Sequence, residues 1–141
     1  MPDLHDPFTG TWTFSAPQSR LSTPAPRRWV QQIFATPEEI VVHEDIVRGN
    51  GVPSTVRVWA RFDGTDYPIF GLPIADATAY LRPGVRSISV TGKKDGELAF
   101  MQTITISHDD RFLTLVYSVQ NGASQVSRGK AVFEKTLPGG N

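Results

Sequence analysis

The stretch Asp6-Pro7-Phe8-Thr9-Gly10-Thr11-Trp12-Thr13-Phe14 decides how the rest of the chain is read. Asp6-Pro7 is a turn signal, since proline fixes φ and an aspartate side chain can mimic a backbone turn. It delivers the chain into a short strand. Side chains alternate across a strand, so Phe8, Gly10, Trp12 and Phe14 share one face. A glycine beside a tryptophan on that face leaves space for the indole to lie flat across a neighbouring backbone. Such a strand can plug one end of a closed β-barrel.

Working outward, residues 16–26 hold Pro17, Pro24 and Pro26 among Ser, Thr and Gln. Proline removes backbone donors, so this segment reads as a loop that cannot lie centrally in a sheet. Residues 27–36 read as a strand with Trp29, Gln31 and Ile33 on one side and Val30, Gln32 and Phe34 on the other. Thr36-Pro37-Glu38-Glu39 has the composition of one helical turn, but the β-branched run Ile40-Val41-Val42 argues for a strand from there on. The clearest hairpin joins residues 39–48 to residues 53–62 through Gly49-Asn50-Gly51. Placing Ile40 opposite Phe62 gives one nearly continuous apolar face: Ile40, Val42, Glu44 and Ile46 against Val56, Val58, Ala60 and Phe62. The other face is then Val41, His43, Asp45 and Val47 against Thr55, Arg57, Trp59 and Arg61. A one-residue slip would mix the two.

Short strands follow at residues 65–70, 77–82 and 85–92, punctuated by Asp63-Gly64, Gly71-Leu72-Pro73 and Pro83-Gly84. Lys93-Lys94-Asp95-Gly96 reads as a polar hairpin turn. Residues 97–107 form the longest strand, and His108-Asp109-Asp110-Arg111 turns it into residues 112–120. Asn121-Gly122-Ala123 is the next turn, residues 124–136 the closing strand, and residues 138–141 a frayed tail. That makes nine or ten strands and no convincing helix. Turns at short, even spacing predict an antiparallel meander, and a meander this long hides its edges most simply by closing. The expectation is an all-β, closed, up-and-down antiparallel barrel of about eight to ten strands, formed by residues 1–141 as one domain.

The bulk composition excludes several classes. With 141 residues, 14 basic and 14 acidic, the chain has balanced charge and lacks the basic stripe of a nucleic-acid binder. No apolar run approaches a membrane span, and no basic start with an apolar centre marks a secretory leader. The sequence as it stands suits the cytoplasm, or export if a leader has been removed. Without cysteine there are no disulfides, cysteine nucleophiles or thiolate metal sites. The 12 glycines and 11 prolines are spread along the chain as punctuation rather than massed.

Gly10-Thr11-Trp12 on the first strand resembles the glycine-x-tryptophan signature of lipocalins and related calycin barrels. Phe8-x-Gly10-Thr11-Trp12, then Asp63-Gly64-x-x-Tyr67-Pro68-Ile69-x-Gly71-x-Pro73 with Asp76 and Arg82 beyond, is similar to small bacterial lipocalin-like domains of unknown function. Lys93-Lys94-x-Gly96, the turn at Asp109-Asp110 and the ending Val132-Phe133-Glu134-Lys135 fit the same pattern, so the likeness covers roughly residues 8–135. Lipocalins proper are longer and carry a C-terminal helix for which nothing remains after Lys135. Thr65-Asp66-Tyr67 spells their second signature but falls too few strands after Trp12 to count. In that family a basic residue of the last strand covers the tryptophan, a role for Arg128 or Lys130. The resemblance implies a barrel with a cavity for a small, largely apolar molecule and no particular chemistry.

Two groups of residues carry candidate chemistry. His43, Asp45, Arg57, Trp59 and Arg61 share a face, which pointing inward would bind a carboxylate or move a proton, and pointing outward would form cross-strand pairs such as Asp45 with Arg57. Glu44 is the one charge on the apolar face. Buried, it requires an Arg partner or a raised pKa, as a general acid or base needs; at the rim it is simply wetted. His5, His43 and His108 show no metal spacing, no nucleophile elbow or glycine-rich phosphate loop is present, and no cofactor or metal is expected. Strand phase nominates Glu44, Val58, Phe62, Phe100 and Gln102 as cavity lining, with Trp59 and Tyr117 as further ligand contacts.

The expected function is binding of a small hydrophobic or amphipathic molecule inside the barrel, by a monomer or homodimer with no nucleic-acid partner and no membrane span. An enzyme on the same scaffold, an isomerase, cyclase or lyase using Glu44 or His43, is the first alternative. A protein-interaction module with an unclosed barrel and an exposed edge or apolar patch is the second.

Overall fold

The computed structural model describes residues 6–120 and 125–136. His5, the turn at residues 121–123, Ser124 and the tail at residues 138–141 lie outside the described residues. Ten strands follow in order: β1 (Gly10–Phe14), β2 (Arg28–Ala35), β3 (Glu39–Val47), β4 (Pro53–Arg61), β5 (Asp66–Phe70), β6 (Ala77–Gly84), β7 (Ser87–Lys94), β8 (Glu97–Ile106), β9 (Phe112–Gln120) and β10 (Val126–Thr136). Each pairs antiparallel with the next, and β10 returns to β1 through Thr11↔Thr136 to Phe14↔Phe133, so the sheet closes and leaves no open edge. This is the expected up-and-down barrel.

The turns form where their chemistry is right. Asp95 (φ 53°) and Gly96 (φ 82°) both sit at positive φ, the twist that a two-residue hairpin turn needs. Lys93 and Lys94, expected in that turn, instead extend β7, which therefore runs Ser87–Lys94 rather than over residues 85–92. Residues 36–39 make a tight turn, closed by the Thr36 N–H donating to the Glu39 carbonyl at 2.9 Å.

The β3–β4 hairpin pairs Ile40 with Ala60, not with Phe62. The offset is two residues, a full side-chain period, so the predicted faces survive. Ile40, Val42, Val56, Val58 and Ala60 are buried inside the barrel. His43, Asp45, Arg57, Trp59 and Arg61 stand on the outer wall. There Asp45 accepts from the Thr55 hydroxyl at 3.2 Å, and Arg57 lies opposite His43, so the expected Asp45–Arg57 pair does not form.

One end of the barrel is sealed. Phe8, Trp12, Phe133, Leu113 and Ile88 are fully buried there. Arg82 reaches Asp6 with both terminal nitrogens, at 2.8 and 3.0 Å, and donates also to the Thr36 and Val85 carbonyls. Its side chain is 9% exposed and that of Asp6 3%. The guanidinium lies 5.1 Å from the Phe8 ring centre and 5.5 Å from that of Phe62. Asp6 also accepts the Phe8 N–H, and the Trp12 indole donates to the Phe8 carbonyl at 3.0 Å. A buried ion pair holds only when its remaining hydrogen-bonding groups are satisfied, and this one has three further partners, the Thr36 and Val85 carbonyls and the Phe8 N–H.

The basic residue over Trp12 is Lys135, with Nζ 4.9 Å from the ring centre, rather than Arg128 or Lys130. Alternation explains it: Gly129, Phe133 and Lys135 share the inward phase of β10, while Arg128 and Lys130 share the outward one. The space left at Gly10 is taken by the Lys135 stem, whose Cε lies 3.2 Å from where a Cβ would stand. Ten strands enclose a wider interior than eight, and the surplus width appears at the other end.

Candidate functional site

The unsealed end holds a cavity of about 890 Å³. Its floor begins with a ring cluster. Trp29, Phe14 and Phe133 stand with centres 4.8 to 5.8 Å apart, two of the pairs edge to face. The cluster locks the Trp29 indole so that Nε1 donates to Glu44 Oε1 at 2.7 Å. Ile46, Val56, Leu72, Phe100, Leu115 and Val119 supply the apolar wall. Gln102, Tyr117 and Ser127 add polar atoms to it. Among the described residues, Glu44 is its one acidic residue and Arg48, at the rim, its one basic residue.

Glu44 is enclosed on every side except the cavity. That enclosure penalises its charged form and raises its pKa above the usual carboxylate value, while the Trp29 hydrogen bond pulls part of the way back. Tyr80, buried deeper in the barrel, has its phenol pushed far up by burial and by the neighbouring Glu44 charge, so it stays protonated. Gln31 is the register partner of Glu44 on β2; it is 3% exposed and its Nε2 has no hydrogen-bond partner.

Two aromatic side chains of the wall rest on glycines. A Cβ at Gly92 would lie 2.1 Å from the Phe100 ring, and one at Gly129 would lie 2.2 Å from the Tyr117 hydroxyl. Both are cross-strand pairs, Gly92 with Phe100 and Gly129 with Tyr117. The missing side chains let each aromatic lie across the opposite backbone.

Residues 16–26 form a strap at the mouth rather than a free loop. A short 3-10 turn, Ala16–Gln18, starts it, and Arg20 exchanges two backbone hydrogen bonds with Lys130, each 2.7 Å. Ser22 then donates its N–H to the Tyr117 hydroxyl at 3.1 Å. Leu21, Ser22, Thr23, Pro24 and Pro26 line the cavity from this strap.

Of the nominated residues, Glu44, Phe100, Gln102 and Tyr117 come together around the cavity. Val58 is buried in the core and Phe62 packs at the sealed end against Arg82. Trp59 stands outside, 45% exposed, with its ring 5.4 Å from Tyr67. It borders a shallow outer hollow of about 520 Å³ together with His43, Arg57 and Phe70. His43 follows the same alternation: one residue from Glu44, it faces the opposite way, so the two do not share a site. The sequence reading missed Trp29, Arg48 and the strap as cavity elements. The phase of Trp29 with Gln31 and Ile33 was the available signal, and the glycines facing Phe100 and Tyr117 were another. Among the described residues no three His, Asp, Glu or Cys side chains converge as metal ligands, and no helix is long and apolar enough to cross a membrane.

A closed antiparallel barrel, sealed at one end by an N-terminal glycine-x-tryptophan strand under a basic residue, is a lipocalin-like, calycin-type fold. Among solved structures, apocrustacyanin C2 superposes on the chain with a TM-score of 0.51 at 10% sequence identity. The match takes in 96% of this chain and 64% of that one, so this chain spans just under two thirds of the length of that protein. No protein-family model and no curated protein matches the sequence.

Proposed function

We propose that the protein binds a small amphipathic molecule in the open half of its barrel. The observation that carries this reading is the cavity of about 890 Å³, walled mainly by apolar side chains and provided with a single enclosed carboxyl group. Ligand sites have this make-up: apolar walls that hold the body of the ligand and a few polar groups that orient it. Burial of apolar ligand surface, near ~25 cal/mol per Å² before association costs, supplies the affinity. The Glu44 carboxyl, held by Trp29, fixes orientation.

The catalytic alternative asked for Glu44 or His43 to face inward; Glu44 does, while His43 faces the outer wall, so proton transfer here would fall to Glu44 without His43. The interaction-module alternative asked for an unclosed barrel with an exposed edge or apolar patch, and β10 closes this one onto β1, which leaves no such edge.

Native mass spectrometry of protein purified from its own host, followed by denaturing extraction, tests the reading. A lipid-like or aromatic molecule bound one to one is the expected result. Protein that is empty and takes up no amphiphile on incubation would refute it.

A further inference from the structure

The cavity has a polar group at each end of an apolar wall. Glu44 lies on β3 and Arg48 one residue beyond its end, so their Cα atoms, four residues apart, stand about 13 Å apart along the strand, roughly the span of a ten-carbon chain. Glu44 is on the floor beside Trp29 and Arg48 is at the mouth. No ion pair or hydrogen bond with the described residues engages the Arg48 guanidinium. Glu44 Oε1 accepts from Trp29, and no described residue donates to Oε2.

We infer that the ligand is a chain-like amphiphile with a hydroxyl at its inner end and a carboxylate at its outer end. This rests on the binding reading above and adds its substrate class. A hydroxyl suits the floor because it both donates and accepts. Its O–H donates to Glu44 Oε2 when the carboxyl is ionised, and its oxygen accepts from the same group when it is protonated. A methyl end leaves the Glu44 carboxyl unsatisfied in an apolar enclosure. At the mouth Arg48 presents a planar fork of donors that fits a carboxylate. The exposed pairing there contributes less than the enclosed one and weakens with salt.

The test is calorimetric titration of the intact protein with ω-hydroxydecanoate, decanoate and decanol. The ω-hydroxy acid binds about tenfold more tightly than decanoate. It exceeds decanol by a smaller factor that shrinks at high salt. Glu44→Leu abolishes the preference for the hydroxy acid over decanoate. Arg48→Ala abolishes the preference over decanol and, lying at the exposed rim, leaves the core packing intact. Equal affinity for decanoate and ω-hydroxydecanoate, or preferences unchanged in both variants, would overturn the inference while leaving the binding reading standing. Failure of all three to bind would overturn both.

Discussion

Trp29 and Glu44 are joined across neighbouring strands by a 2.7 Å hydrogen bond from the indole nitrogen to one carboxyl oxygen. The pair is diagonal in the β2–β3 ladder, since Trp29 lies opposite Ile46 and Glu44 opposite Gln31. It sets the indole upright in the ring cluster and turns the one acid of the cavity into an oriented group.

The first prediction concerns pH. Enclosure raises the pKa of Glu44 above its unfolded value near 4.5, so the native state holds its proton to higher pH than the unfolded chain does. Between those two pKa values the folded state binds more protons, and stability falls as pH rises. The contribution is fully present below the unfolded pKa and is lost as pH passes the folded one. In Glu44→Gln that component disappears. Urea midpoints measured from pH 4 upward, wild type against variant, should show their difference moving against the wild type with rising pH; parallel curves would contradict the assignment.

The second concerns the sealed end. Arg82→Met leaves Asp6 buried without its partner and should cost about 3–5 kcal/mol in denaturant unfolding. The double variant Asp6→Leu with Arg82→Met removes both charges and should recover a large part of that loss. A double variant no better than the single one would mean that the hydrogen bonds to the Thr36 and Val85 carbonyls, rather than the ion pair, hold this end.

The third concerns the glycine under Tyr117. Gly129→Ala places a methyl group where the phenol hydroxyl lies, forcing the ring off the strand and away from Ser22. Overpacking of this kind costs about 1–3 kcal/mol. The strap at residues 16–26 should then be cut faster by protease under native conditions, while Gly84→Ala, whose added methyl would meet nothing nearer than the Ser87 Cβ at 4.0 Å, leaves cleavage unchanged.

The fourth concerns Lys135. Its replacement by Met keeps the stem that fills the space at Gly10 and removes the charge over Trp12. The expected loss is about 0.5–2 kcal/mol, with a change in tryptophan fluorescence that Lys130→Met does not reproduce.

Much of the architecture was legible because period and turn chemistry are local. The inward phase of Glu44, Val56 and Phe100 follows from alternation alone, and it held even where the β3–β4 pairing was two residues off. What stayed hidden was depth along the barrel. Val58 and Phe100 share the inward phase, yet one is packed in the core and the other borders the cavity, because β1 and the Arg82–Asp6 pair seal only one end. Periodicity has no information about that. The strap was hidden for a related reason: its prolines argue for a loop, but only the closed barrel brings Ser22 to Tyr117, 95 residues away. Nominating Trp59 gave its aromatic character more weight than its outward phase.

The most direct test of the central claim is to fill the cavity. Val56→Trp places an indole among Glu44, Phe100 and Leu115 while leaving the sealed end untouched. Titration with an anilinonaphthalene sulfonate dye, alongside circular dichroism to confirm a folded barrel, compares it with the wild type. We predict saturable one-to-one binding by the wild type, lost in the folded variant. Equal dye binding by both proteins would place the ligand elsewhere on the molecule and contradict the account.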